Sequence, residues 1–151
     1  MPERSEYAPG TPSWVDLSTS DLDAAKSFYA SVFGWELDDQ PTDQGGVYTM
    51  ASRNGKAVAG LMTQMPELAE QGAPSAWNTF ITVADADAAV AAAEGAGGVI
   101  HAPVMEVMDA GRMAVLGDPT GGVCCVWEPQ NHIGAELVNE HGALTWTDLA
   151  T

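Results

Sequence analysis

The chain repeats itself, and that repeat limits the fold more than any other feature of its 151 residues. Ser13 to Thr19 alternates apolar and polar side chains, the pattern of a half-buried strand. Ser20-Asp21-Leu22-Asp23 follows, with small polar caps and acids where the first turn of a helix favours them. Leu22, Ala25, Phe28, Tyr29, Val32 and Phe33 recur at helical spacing, and Gly34 ends the helix as glycine does at a C-cap. At an offset of 64 the punctuation returns: strand Asn78 to Val83, Asp85 in place of Asp21, a helix face of Ala86, Ala89, Val90 and Ala93, and Gly98 in place of Gly34. The later parts match at an offset of 65, where Gly46 to Met50 pairs with Gly111 to Val115. Hairpin turns follow at Arg53-Asn54-Gly55-Lys56 and Asp118-Pro119-Thr120-Gly121-Gly122, then last strands at Ala57 to Thr63 and Val123 to Trp127.

Each half therefore reads strand, helix, strand, strand, strand. The reading predicts an α+β protein of two βαβββ modules, forming a curled mixed sheet around a cleft. Residues 1–11 read as a flexible leader, 12–64 as the first module, 65–75 as a linker with Pro66, Gly72 and Pro74, and 76–133 as the second module. In the tail, 134–151, Trp146 to Thr151 repeats Trp14 to Thr19 with Trp, Asp, Leu and Thr identical. The tail thus resembles the first strand of a further module. A lone strand cannot bury its apolar face, so it is expected to add to a sheet edge of this or a second subunit.

Charge excludes some partners. Twenty-one acids against five Lys and Arg give a net charge of −16, which repels nucleic-acid backbones and anionic membranes. No apolar run approaches the roughly 18 residues of a membrane span, and the polar N-terminus is no secretory signal. Cys124 and Cys125 are adjacent, point to opposite faces of a strand and form no disulfide framework, as a reducing cytoplasm favours. No phosphate loop, nucleophile elbow or dinucleotide fingerprint occurs. Each of His101, His132 and His141 reads as a solvated surface side chain.

Residues 14 to 35, WVDLSTSDLDAAKSFYASVFGW, resemble the opening motif of the vicinal-oxygen-chelate (glyoxalase, bleomycin-resistance, dioxygenase) superfamily. Residues 111 to 128, GRMAVLGDPTGGVCCVWE, resemble its closing motif. The resemblance covers residues 12 to 133 and leans toward the tandem glyoxalase-like "hydroxylase" branch. It implies the glyoxalase-like fold. It also implies a divalent metal at four positions which, carried through the repeat, fall on Trp14, Gly60, Asn78 and Cys125. Trp has only an N–H donor, Gly has no side chain, Asn is a weak ligand and Cys a soft one. No metal and no cofactor are therefore expected.

What is expected instead is a small, largely apolar or planar molecule in the cleft. Strand parity puts Trp14, Asp16, Met62, Asn78, Phe80, Cys125 and Trp127 on the inner face, with Tyr48 and Met113 from the third strands. Plain core packing accounts for such residues equally well. Asp16 in apolar surroundings is the one candidate for acid–base chemistry. Two alternatives stand: a metal-dependent lyase, hydroxylase or dioxygenase of the same superfamily, and the structural half of a tandem protein. The expected partners are the small molecule and either a second copy in a homodimer or a second tandem domain.

Overall fold

The computed structural model describes residues 2–151. Its elements run β1 (Pro12–Thr19), α1 (Leu22–Phe33), β2 (Glu36–Pro41), β3 (Val47–Arg53), β4 (Lys56–Thr63), α2 (Pro66–Glu70), β5 (Ala76–Thr82), α3 (Ala86–Gly95), β6 (Val99–Val107), β7 (Gly111–Gly117) and β8 (Val123–Pro129). The α+β class and the doubled strand–helix–three-strand order are as the sequence predicts. The chain divides into two compact units: Met1–Arg4, Val15–Asn78 and Ala135–Thr145 in the first, and Ser5–Trp14, Thr79–Gly134 and Trp146–Thr151 in the second.

Both units share one strand plan. The first has the order β2-β3-β4-β1, with β1 parallel to β4 and the other pairs antiparallel. The second has β5-β8-β7-β6, with β5 parallel to β8 and the other pairs antiparallel. The helices follow from their ends. Asp21 accepts from the Ala24 N–H at 3.0 Å and starts α1; Gly34, at φ +67°, ends it. Asp85 accepts from the Ala88 N–H at 3.0 Å and starts α3.

One local expectation needs correction. Gly98 does not cap α3: Ala96 is the cap and Gly97 takes the left-handed turn at φ +86°. Gly98 is glycine for space, because a Cβ there would lie 2.9 Å from the carbonyl oxygens of Ala93 and Gly117. The linker carries a short helix, α2, with Pro66 at its first position, where the missing N–H costs nothing. Trp146 to Thr151 forms no strand within this chain, and Trp146 is 80% exposed. The leader is bonded at both ends: Arg4 N–H donates to the Glu136 carbonyl, and Thr11 and Thr82 are joined backbone to backbone.

The core of the first unit lies between its sheet and α1. Leu17, Ala51, Ala59 and Leu61 are buried, and Leu22, Ala25 and Tyr29 pack on them. Because side chains alternate along a strand, the neighbours Asp16, Gly60 and Met62 point to the opposite face. Leu61 is fully buried in this cluster, so Leu61→Ala should lower unfolding stability by ~2–5 kcal/mol in urea titrations. Phe28→Ser, at a position 58% exposed, should change it by less than about 1 kcal/mol.

Candidate functional site

The face away from α1 carries one buried carboxylate. The parallel pairing of β1 and β4 sets Asp16 opposite Gly60 and Ser18 opposite Met62. The antiparallel pairing of β3 and β4 sets Met50 opposite Gly60 and Tyr48 opposite Met62. Gly60 thus lies between Met50 and Asp16 in a row with no side chain at its centre. The Tyr48 phenol leans diagonally into that space: a Cβ at position 60 would overlap its hydroxyl. The hydroxyl reaches Asp16 Oδ2 at 3.2 Å, and Asn78 Nδ2, from the start of β5, donates to Asp16 Oδ1 at 2.9 Å. A glycine inside a strand marks the close approach of another group, and that signal could have flagged position 60 without naming Tyr48.

Asp16 is 3% exposed. Burial pushes its pKa up to about 6 from an ordinary 3.8, while the hydrogen bonds from Asn78 and Tyr48 pull it partly back. Around it, Tyr48, Met62 and Asn78 are half-buried. These four predicted site residues therefore share one unit and one face.

The other five lie in the second unit. Trp14, Phe80, Cys125 and Trp127 are each no more than 5% exposed, and half-buried Met113 is paired with Trp127 in the β7–β8 register. His132 is not a surface side chain. Its ring stands edge-on to Trp14, with centroids 4.6 Å apart, and meets Trp127 at 5.9 Å. Its carbonyl accepts from Trp127 Nε1 at 2.8 Å. This follows from the path of residues 131–134, where Gly134 passes so close to the Ser13 backbone that no Cβ fits. Two open hollows, of about 270 and 250 Å³, include none of the predicted site residues.

The residues at the implied metal positions do not fit a divalent cation. Trp14 offers only an N–H. Gly60 has no donor atom and its open side is taken by Tyr48. Asn78 spends its amide nitrogen on Asp16. Among the described residues, no three His, Cys, Asp or Glu side chains stand together as a ligand group.

The Asp16 titration has a definite sign. Its folded pKa exceeds the ordinary value, so the stability it contributes is fully present below pH 3.8 and is lost as pH rises through about 6. The full shift corresponds to about 3 kcal/mol at neutral pH. Asp16→Asn should abolish that slope in urea titrations across the window and raise neutral-pH stability relative to wild type. Gly60→Ala should displace the Tyr48 phenol, remove its hydrogen bond and move the Asp16 carboxyl titration to higher pH, as read by carboxyl carbon NMR.

The profile of the Glyoxalase/Bleomycin resistance protein/Dioxygenase superfamily matches residues 11–125. The chain is 51% identical over 152 residues to "Putative glyoxylase CFP32" of Mycobacterium tuberculosis, covering 100% of this chain and 58% of that protein. It is 34% identical over 157 residues to "Anthracycline biosynthesis protein DnrV" of Streptomyces peucetius, covering 97% of this chain and 57% of the other. The chain thus spans a little over half the length of the curated relatives it matches. Among solved structures, Streptomyces coelicolor methylmalonyl-CoA epimerase superposes with a TM-score of 0.60 at 19% identity, over 81% of this chain and 96% of the epimerase. The Mn(II)-bound glyoxalase of Novosphingobium aromaticivorans superposes with a TM-score of 0.56 at 20% identity, over 94% of this chain and 42% of the glyoxalase. With a duplicated strand–helix unit, matching motifs at both ends and half-identical relatives, the chain belongs to the glyoxalase/bleomycin resistance protein/dioxygenase superfamily.

Proposed function

We propose that this protein binds a small, largely apolar or planar molecule on the face of its first unit that carries Asp16, and does so without the divalent metal of its superfamily. The observation that supports this most is the use of the Gly60 space. Where the resemblance implies a ligand side chain, this chain has none, and the Tyr48 phenol fills the gap and engages Asp16. A buried carboxylate in an apolar sheet costs stability, and hydrogen bonds lower that cost only in part. Retaining one beside half-buried Tyr48, Met62 and Asn78 supports a recognition role over a packing role. The lining suits a flat molecule: an aromatic ring, a thioether and one polar corner.

A second reading rests on the tail. Trp146 is exposed, and its six-residue segment repeats the first strand. A further glyoxalase-like domain, or a second copy of this chain, would cover that surface. In that case the domain acts as one half of a larger assembly, and sedimentation would show obligate association.

Two measurements on the purified protein test the first reading. Elemental analysis after growth with added Mn, Fe, Ni and Zn should find sub-stoichiometric metal. Calorimetric binding of planar apolar probes should be unchanged by a chelator. Stoichiometric metal whose removal abolishes binding would overturn the reading in favour of a metal-dependent lyase, hydroxylase or dioxygenase.

A further inference from the structure

We propose that the outer face of α1 is a contact surface for a second copy of this chain, which packs its own α1 against it antiparallel about a two-fold axis between Ser27 and Phe28. The contact needs neither the Asp16 corner nor the tail, so it stands apart from both readings above.

Exposure and charge single this face out. Helix α1 packs on the core of the first unit through Leu22, Ala25 and Tyr29. At 3.6 residues per turn, Ala24, Ser27, Phe28, Ser31 and Val32 then fall together on the outer side. All five are exposed, Phe28 at 58% and Val32 at 54%. No charge stands among them, in a chain that carries 21 acids. The two charged side chains of the helix, Asp23 and Lys26, lie on its other shoulder, and Lys26 is tied to Asp39 at 2.7 Å. The aromatic surface continues inward. Phe28 is edge-on to Tyr29 with centroids 5.0 Å apart, and Tyr29 is edge-on to Trp77, itself 37% exposed. A surface helix turns charged or polar side chains to water. Two large apolar side chains one turn apart, each more than half exposed and joined to an aromatic surface, mark a place for another protein surface.

Shape and charge both select a copy of the same face. Ala24, Ser27, Phe28 and Ser31 are spaced i, i+3, i+4 and i+7, the four corners of the recess that receives a side chain from a facing helix. Three of the four are small, so the recess admits a phenylalanine ring, and Phe28 of the other copy supplies it. An antiparallel pair centred between Ser27 and Phe28 sets Phe28 of each copy over Ser27 of the other, and Ala24 over Ser31. The same register brings Asp21, the N-cap, to Gly34 of the other copy. Arg53 stands at that end of the helix. It donates to the Phe33 carbonyl at 2.6 Å, and its Nη1 lies 2.9 Å from where a Cβ on Gly34 would be. Among the described residues Arg53 has no salt-bridge partner. Asp21 spends Oδ1 on the Ala24 N–H and keeps its second oxygen for another donor. Two Asp21–Arg53 pairs therefore close the contact, one at each end, as two-fold symmetry requires. Antiparallel packing also sets the positive end of each helix dipole beside the negative end of the other. A parallel pair would bring Asp21 to Asp21 and Arg53 to Arg53.

One helix face covers less than the roughly 1,200 Å² at which standard interfaces begin, so the dimer should dissociate on dilution. Sedimentation velocity on the full chain, in a concentration series up to about 1 mM, reads its dissociation constant. Wild type should pass from monomer to dimer and no further, since a two-fold contact closes. Phe28→Ser and Val32→Ser should each raise the dissociation constant about tenfold or more. Neither should move the urea midpoint of the dilute monomer, which separates a lost contact from a lost fold. Asp21→Asn keeps the helix cap and removes its charge. It and Arg53→Gln should each weaken the dimer about threefold or more, and the two together no more than the stronger one alone. Copies carrying Ala24→Cys, mixed with copies carrying Ser31→Cys, should join by a disulfide between those two positions under mild oxidation. Trp146→Ser should leave the dimer as it is. A chain that stays monomeric at the highest concentration would sink the inference. So would a dimer that survives Phe28→Ser and is lost in Trp146→Ser, which would put the contact at the tail. Copies of Ala24→Cys that join to one another at that position would overturn the antiparallel register.

Discussion

A parallel register between two strands holds the first unit of this protein in place. Pairing β1 with β4 so that Leu17 meets Leu61 buries both against α1, and the alternation of the strand then forces Asp16 and Gly60 onto the far face together. A slip of one residue would bring Asp16 into the apolar core and Leu17 to the open side. Burial of Leu61 and the position of Asp16 are therefore one constraint seen from two faces. Parallel strands need a long crossover, and α1, with β2 and β3 after it, supplies the chain that makes this register possible.

The two units carry out one backbone plan with different interiors. Through the repeat, Asp16 corresponds to Phe80, Gly60 to Cys125, Tyr48 to Met113, and Trp14 to Asn78. In the first unit Asp16, Gly60 and Tyr48, joined by Asn78 from β5, make a hydrogen-bonded corner around a carboxylate. In the second, Phe80 stands edge-on to Trp127, which in turn meets His132. Duplication preserved the caps and turns that define strands and helices and left side-chain content free to diverge. The superfamily hosts many chemistries on one frame for this reason, and function has to be argued from the corner and not from the frame.

That corner joins a gap in one strand to a ring from the next. The implied ligand position at residue 60 is a glycine, and the vacancy is taken by a ring from the neighbouring strand. The carboxylate then bonds to a phenol and an amide. Its remaining freedom is to gain or lose a proton near pH 6.

Much of the fold was legible in the residues. The helix starts at Asp21 and Asp85, the end at Gly34, the hairpin turns and the two-module order all follow from local rules of capping, turn chemistry and periodicity. Strand parity also set Asp16 and Met62 on the face opposite Leu17 and Leu61. What sequence could not supply is anything that depends on distance between strands. Gly60 read as a blank ligand position, and only the register shows that Tyr48 fills it. Gly98 read as a cap, and only the closeness of two carbonyls shows that it is there for space. His132 read as solvated, and only the path of the chain past Ser13 carries it against Trp14. The sequence by itself determined which residues could form each element and which way each strand faced, because those are short-range properties of the backbone. The tertiary structure decided which side chains meet, which carboxylate is buried and which proton it shares, because contacts between residues 16, 48, 60 and 78 arise only when four separate strands are brought into register.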